Sequence, residues 1–463
     1  MLQHHTQTGQ SLPIKAVKSR RKCLRENLTQ PILLWAGDRL SRNFRANRYP
    51  FRANSHFLYF AGMSLAGAVL YLTGDRQIIF FDLPSADDAL WHGEFMEQEQ
   101  LQVLLQVDQI LPKSKLGEFT SNATTIPLTD PYQRLQQSQI LGRDLPTPNQ
   151  LTGGDRRLAE AIINLRLSHD GTALREIQSA IEVSITAHKI GMQTAPQVQT
   201  EAEVRGAIES HFIGHQVPCA YNSIVSVAGE VLHNESSPHP LKSGDLLLVD
   251  AGAETPNGWA SDLTRTYPVN GKFSSTQREI YNLVLAAHDQ AIAAIKPGVE
   301  FRDLHWLATK IITQGLLDLE ILVGNLDDLV AENIATTFFP HGLGHLLGLD
   351  VHDMEDLGDL AGYAPERRRS QEFGECFLRL DRPLQENMVV TIEPGFYQVP
   401  AILGDSRVRE PFKSMINWDK LQHFSDVRGI RIEDDIHVTA DGAQNLSQAL
   451  FTAVDDLENF MNP

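Results

Sequence analysis

Four carboxylates sit where a strand would bury them. Asp250 ends the apolar run Leu246–Asp250 (LLLVD), and Asp262 opens the β-prone stretch that follows. Glu393 ends Val389–Ile392 (VVTI), and Glu433 lies inside GIRIEDDI. An isolated buried carboxylate is costly, so such acids are paired with or bound to cations. Arg431 alone is too little to neutralise four of them. Imidazoles come from His341-Gly342-Leu343-Gly344-His345 and from His352-Asp353. The glycines argue for a loop rather than for the HExxH helix of zincins. Gly342, Gly344 and Gly348 make a GxGxxxG, one residue too long for a dinucleotide fingerprint and without its strand-turn-helix setting. His4-His5 is read as uninformative. A lone histidine or carboxylate is better explained as structural, but this combination is not a lone residue.

The elements that must position these groups follow from patterning. Leu246–Asp250 and Thr264–Val269 read as a hairpin, with Pro256-Asn257-Gly258 as turn chemistry between them. Gly429–Val438 alternates, with Ile430 and Ile432 facing one way and Arg431 and Glu433 the other. Asp170 can cap a helix whose apolar positions are Leu174, Ile177, Ile181 and Ile185. Thr200 with Glu203, and Thr276 with Glu279, form capping-box patterns for two more helices. The later one runs to a stop at Lys296-Pro297-Gly298. The first third mixes short strands and helices, with Gln77–Phe81 as a buried strand. Asp144–Arg157, rich in Pro and Gly, reads as linker. These signals predict an α+β chain with a smaller α/β N-terminal domain over 1–168 and a larger domain over 169–463. The stretches 358–386 and 399–428 read as loops or insertions, and Pro365–Arg369 as solvated surface rather than a phosphate site.

Length and composition limit what the chain can be. At 463 residues it has room for two or three domains. Hydrophobic residues make up 42% and charged residues 21%, which excludes a disordered or fibrous protein. No apolar run approaches the length of a spanning helix. The formal charge of -18 is unsuited to a general nucleic-acid binder. Cys23, Cys219 and Cys376 are far apart, which excludes a disulfide framework and a thiolate zinc site. They suggest a reducing compartment, and the expected location is cytoplasmic. Lys15, Lys18, Arg20, Arg21, Lys22 and Arg25 crowd the start without an apolar segment behind them, so a secretory signal is excluded. A basic first helix or arm is preferred there over a transit peptide.

Five motifs stand in order: VDAG, SDLTRTY, HGLGHLLGLDVHD, TIEPG and GIRIEDD. Together they resemble the creatinase-like "pita-bread" metallopeptidase family, most closely its Xaa-Pro aminopeptidase (aminopeptidase P) branch. A looser likeness extends into the first domain through Phe51–Tyr59 and Trp91-His92-Gly93-Glu94. The resemblance implies a pita-bread catalytic domain and a two-metal site. In it Asp250 binds one divalent ion, His345 and Glu393 bind the other, and Asp262 and Glu433 bridge both. The oxygen-rich set suits Mn²⁺, with Co²⁺ or Zn²⁺ as substitutes. By the same resemblance Glu393 shuttles the proton of an activated water, and His352 bonds the substrate or the tetrahedral intermediate. His233 lines the pocket for the second residue, and Tyr397 and Arg431 orient ligands and substrate. The implied substrates are peptides with proline in second position, and the implied assembly is a homo-oligomer, dimer or tetramer. No nucleic-acid or membrane partner is expected.

Some positions depart from the family pattern. Asn234 stands where an aromatic residue is usual, the loop Ser226–Glu230 looks shortened, and Pro196-Gln197 replaces a Pro-Gly pair. The ligands are unaffected, but the pocket wall is altered. The alternatives are an Xaa-Pro dipeptidase (prolidase), which shares all five ligands, a methionine aminopeptidase, which usually lacks the first domain, and a metal-free creatinase-like or binding relative.

Overall fold

The basic residues near the start fall on a helix, Ile14–Glu26, in a computed structural model that describes residues 13–234 and 236–462. His4-His5 lies outside those residues. Arg21 is fully buried and donates from Nε to Phe60 O (2.5 Å) and from a terminal nitrogen to Leu105 O (2.9 Å). Arg20 pairs with Asp170 at 2.8 Å. Two of the basic side chains are thus structural, and the run is a first helix.

The chain divides into two units. The first holds the described residues up to Thr172 together with Met354–Ala361. Its sheet contains β1 (Ile32–Trp35), β2 (Val69–Leu72), β3 (Gln77–Phe80), β4 (Gln109–Leu111) and β5 (Thr124–Thr125), in the order β4-β3-β2-β1-β5. The three central strands are antiparallel, and the two edge strands join them in parallel. Leu33, Trp35, Val69, Tyr71, Ile78 and Phe80 form its core. Asp144–Arg157 is not the linker its composition suggests. It holds a 3-10 turn, Pro148–Gln150, and the start of the helix Gly153–Arg166. Asp155 fixes that helix by accepting from Thr125 N (2.9 Å) and pairing with Arg143 (2.7 Å). The segment Met354–Ala361 brings Asp356 to 3.0 Å from His56 Nε2. Arg166 lies 3.0 Å from His56 Nδ1. A guanidinium only donates, so Nδ1 accepts and Nε2–H points at Asp356.

The second unit is α+β. β6 (Ile224–Ser226), β7 (Leu246–Asp250) and β8 (Thr264–Pro268) form one antiparallel sheet. β9 (Val389–Ile392) lies further on, followed by β10 (Gly395–Tyr397), β11 (Gly429–Arg431), β12 (Asp434–Val438) and β13 (Ala443–Asn445). β10 pairs with β11, and β12 lies between β13 and β9. The alternating run Gly429–Val438 is therefore two strands, not one. It breaks at Ile432-Glu433, where Glu433 N bonds Thr264 O (3.1 Å). That bridge helps tie the β6–β8 sheet to the second half of the unit, together with Thr266 Oγ1, which donates to Arg431 O (3.1 Å) and accepts from Arg431 N (3.1 Å).

Of the long helices, Glu201–Gly214 packs on β6, Ser275–Ala293 packs on β9 to β11 and β13, and Phe301–Asp318 packs on Ser275–Ala293. Gly171–Thr194 meets the β7–β8 connection through Ser184 on Ser261 (2.8 Å). Asp170 accepts from Thr172 N (2.9 Å), and Thr200 caps its helix through Glu203 N. The third cap differs from expectation. Ser274 and Gln277 make the box, while the Thr276 hydroxyl bonds Asp426 (2.8 Å). That helix ends at Ala293, short of Lys296-Pro297-Gly298. The stretches 358–386 and 399–428 carry short helices, among them Pro400–Leu403, Ser406–Arg409 and Trp418–Gln422. Within Pro365–Arg369, two arginines have internal partners. Arg367 pairs with Glu300 (2.7 Å) and Asp381 (2.8 Å), and Arg369 donates to Leu378 O (2.7 Å). Among the described residues, no helix is long and apolar enough to cross a membrane.

Candidate active site

The pairing of β7 with β8 places Asp250 opposite Thr264, two residues beyond Asp262. Glu433 arrives beside Thr264 through the bridge just described, and Thr264 Oγ1 donates to its Oε2 (2.7 Å). Glu393 follows β9, held by its N–H on Leu343 O (2.8 Å). The loop His341–His345 lies along β9, with Thr391 N on His345 O (3.0 Å) and His345 N on Thr391 Oγ1 (3.1 Å). Gly344 is needed there, because a Cβ would lie 2.0 Å from Thr391 O.

These connections bring the five residues together. Ligand atoms of Asp250, Asp262 and Glu433 lie within 4.8 Å of one another. So do those of His345, Glu393 and Glu433, and those of Asp262, His345 and His352. Asp250, Asp262, His345 and Glu433 are buried, and Glu393 nearly so. His345 Nδ1 lies 3.1 Å from Leu346 O, which can only accept, so that nitrogen carries the hydrogen. Nε2 then presents a lone pair toward Asp262 Oδ2 (3.4 Å) and Glu393 Oε1 (3.5 Å). Three acceptors facing each other in a buried space repel unless a cation lies between them. The same donor arrangement, with the other ring N–H on a carbonyl, is what metal-ligating histidines adopt. The residues present therefore fit divalent metal ions.

The titration of the acids carries the same message. Burial, then the charge of Asp250, pushes Asp262 up to about 7. Burial also raises Glu393 to about 7, against the pull of His345 and Arg431. Glu433 is raised well above the usual carboxylate range by burial and by Asp262 and Glu393. The guanidinium bonded into the cluster is that of Arg431. It donates to Asp250 Oδ2 (2.5 Å), Thr264 Oγ1 (3.2 Å) and Tyr397 OH (3.2 Å). It forms an ion pair with Asp250 and also holds the Thr264 and Tyr397 hydroxyl oxygens in place.

His352 stands beside His345, with ring centroids 4.2 Å apart. His233 lies on the loop after β6. Its pKa is lowered by partial burial, then by Arg431 and Arg379, with His352 adding to the effect. Two groups were missed by the sequence reading as site residues. Tyr221 donates its hydroxyl between Asp250 Oδ1 (2.6 Å) and Asp262 Oδ1 (2.5 Å). His341 Nδ1 donates to Gly342 O (2.8 Å) and lies 3.8 Å from Glu393 Oε2. Its Nε2 therefore accepts from Tyr397 OH (2.8 Å). Burial, then Arg431, lowers the His341 pKa to about 3, so its ring stays neutral. The HGLGH motif contained the signal for His341; Tyr221 had none in its local sequence.

Known proteins share this architecture. The profile of metallopeptidase family M24 matches residues 173–440, and that of the aminopeptidase P N-terminal domain matches residues 17–125. A probable Xaa-Pro aminopeptidase of Tuber melanosporum is 33% identical over 423 residues, 89% of this chain and 87% of the relative. The Xaa-Pro aminopeptidase of Haemophilus influenzae is 34% identical over 438 residues, 89% of each chain. Among solved structures, aminopeptidase P from Escherichia coli with the inhibitor Pro-Leu matches with a TM-score of 0.77 at 28% identity, covering 98% of this chain and 99% of that one. These likenesses favour the aminopeptidase over the dipeptidase. The chain thus belongs to metallopeptidase family M24, in its Xaa-Pro aminopeptidase branch, and is a metal-dependent hydrolase of the pita-bread fold.

Proposed function

We propose that this aminopeptidase acts on peptides with proline in second position, at a two-metal centre held by Asp250, Asp262, His345, Glu393 and Glu433. The observation that carries the reading is a pair of overlapping acid clusters: Asp262, Glu393 and Glu433 gather around the unprotonated Nε2 of His345, and Asp250 joins Asp262 and Glu433 beside them. Mn²⁺ is the proposed ion, with Co²⁺ or Zn²⁺ as substitutes, because oxygen donors outnumber the single imidazole. When bound, such ions supply the positive charge that polarises a carbonyl and brings the ionisation of water toward neutral pH.

The protein groups do the rest. Glu393 Oε2 takes the proton of the attacking water and returns it to the departing proline nitrogen. His352 donates to the oxygen that gains charge in the tetrahedral intermediate. Tyr397 and Arg431 form a fixed polar wall, since Arg431 bonds the Tyr397 oxygen and Tyr397 bonds His341. His233 borders the space for the second residue. Proline suits such a site because its bond has no amide N–H and its ring fixes φ. A peptidase that gripped its substrate as a hydrogen-bonded strand would miss that donor.

The division into residues 1–168 and 169–463 is proposed to separate an accessory domain from a catalytic one. A cytoplasmic location is supported by three free cysteines, and a homo-oligomer is the proposed assembly. The test is a product profile with Mn²⁺ on an Xaa-Pro dipeptide and its tri- and pentapeptide extensions. Release of the first residue from the longer peptides is expected, with the dipeptide slower and peptides lacking the proline nearly inert. The substrate bond should be trans, the isomer that holds roughly 70–90% of unfolded peptides. Cleavage confined to the dipeptide would overturn this reading.

A further inference from the structure

The loop that carries His233 leaves β6 at Ser226 and returns to the helix Glu201–Gly214 at His239. Both of its ends meet one side chain. Glu201 is fully buried, and its Oε1 accepts from Val227 N (2.7 Å) and Ser226 Oγ (3.1 Å). Its Oε2 accepts from His239 N (3.1 Å), and the His239 ring nitrogen Nδ1 lies 3.0 Å from Oε1. The backbone closes the same joint, with Glu201 N on His239 O (3.2 Å) and Leu241 N on Gln199 O (2.8 Å).

Inside the loop, successive residues have different tasks. Leu232 packs on Ile224, Leu248 and Tyr397. Asn234 turns back, its Nδ2 on Ser226 Oγ (3.1 Å). The residue that replaces the family's aromatic thus bonds the base of the loop, one hydroxyl away from Glu201. Gly229 passes so close to β11 that a Cβ on it would lie 2.8 Å from Gly429 O. Arg428 Nε reaches Glu230 Oε1 (3.0 Å) beside that crossing. β11 ends at Arg431, so the loop is registered against the strand that supplies the site's guanidinium.

We propose that Glu201 is a positioning residue for the reaction: it clasps the two ends of the His233 loop and thereby sets where the second residue of the peptide is held. This rests on the assignment of His233 to the substrate pocket. Glu201 touches neither substrate nor metal. It acts because one carboxyl group accepts from both strands of the loop base, and an acceptor at only one end would leave the other free to shift.

The test is a double-mutant cycle in the full-length, Mn²⁺-loaded protein. Glu201→Gln keeps the volume but puts an NH₂ where one end needs an acceptor, so donor meets donor. It should lower kcat/KM for an Xaa-Pro-Xaa tripeptide on the order of tenfold, mainly through KM, with metal content unchanged. In a His233→Ala background the same substitution should change kcat/KM by less than about twofold, since the group it positions is gone. Should Glu201→Gln not accumulate as folded protein, His239→Ala loosens the same end from a partly exposed ring and should show the same dependence on His233. Equal losses in both backgrounds, or a loss that follows metal content, would overturn the clasp while leaving the pocket intact. No loss in His233→Ala alone would overturn the pocket assignment, and the clasp with it.

Discussion

Glu433 and Asp434 are consecutive and both buried, yet their carboxyl groups are shifted in opposite directions. Asp434 points into a closed cage. Arg265 donates to its Oδ1 (2.6 Å), as does Ser447 Oγ (2.7 Å), and Asn445 Nδ2 donates to its Oδ2 (2.8 Å). His288 Nε2 lies 3.3 Å away. Burial pulls the Asp434 pKa up, but Arg265 and His288 outweigh it, and the group stays well below the usual range. Glu433 points the other way, toward Asp262 and Glu393, and is raised by burial and by both of them. A structural acid has its counter-charge inside the fold. Glu433 is instead left facing other acids, and that difference in surroundings, rather than burial or residue type, sets the direction of the two shifts.

The largest expected effects follow from exchanging charge for its neutral isostere on either side of this peptide bond. Glu433→Gln should bring peptidase activity to background, because it removes a proposed bridging ligand. In chelated protein it should raise the thermal midpoint, since it relieves repulsion among buried acids. The pH dependence has a definite sign. A carboxyl group whose folded pKa is raised favours the fold while protonated, so its contribution is lost as pH rises. For Glu433 that loss begins near the ordinary value, about 4, and continues as pH rises toward its raised folded value. The advantage of Glu433→Gln over the parent should therefore grow with pH above about 4. Asp434→Asn should do the reverse and destabilise by about 3–5 kcal/mol, because Arg265 is left buried without its anion. Calorimetry with and without chelator checks both. Equal destabilisation by the two substitutions in chelated protein would remove the distinction.

A smaller effect separates ligand from substrate-handling imidazole within one ring pair. His345→Ala should lose metal. His352→Ala should keep most of it and lose on the order of 100-fold in turnover, the scale of one lost hydrogen bond to developing charge. Metal analysis beside kinetics decides between them. A His352→Ala protein as empty as His345→Ala would show that His352 is a ligand.

The acids were legible in sequence because a carboxylate at the end of an apolar strand run contradicts its surroundings. LLLVD and VVTI each announce one in this way. The break at Ile432-Glu433 was not legible. Period-two alternation reports which way side chains face but not which strand each half pairs with, and β11 and β12 join different sheets. The cap at Ser274 was also hidden. Ser274-x-x-Gln277 and Thr276-x-x-Glu279 are equivalent patterns locally, and the Thr276 hydroxyl is taken up by Asp426, far along the chain. Asp144–Arg157 was misread because Gly and Pro mark the entry of a helix as readily as a hinge. Tyr221 lies outside any periodic element, so nothing near it in sequence points to Asp250 and Asp262.

Tyr221 offers the smallest and most selective test of the comparison. Its hydroxyl lies between two carboxyl groups that would otherwise face each other across the edge of the cluster. Burial, then Asp250 and Asp262, raises its pKa well above the ordinary value, so the proton stays on the oxygen and remains available to donate. One hydrogen cannot balance two acids, but it can hold both at a fixed spacing and leave their remaining lone pairs directed into the cluster. If that is its work, Tyr221→Phe should weaken metal retention by roughly tenfold, as loss of one hydrogen bond to a charged group does. Turnover per bound metal should change little, because the hydroxyl contributes to holding ions rather than to the reacting atoms. Competition with a graded chelator measures the first quantity, and kcat at saturating Mn²⁺ measures the second. A loss of kcat with metal retention unaltered would place the Tyr221 hydroxyl among the groups that act on the substrate.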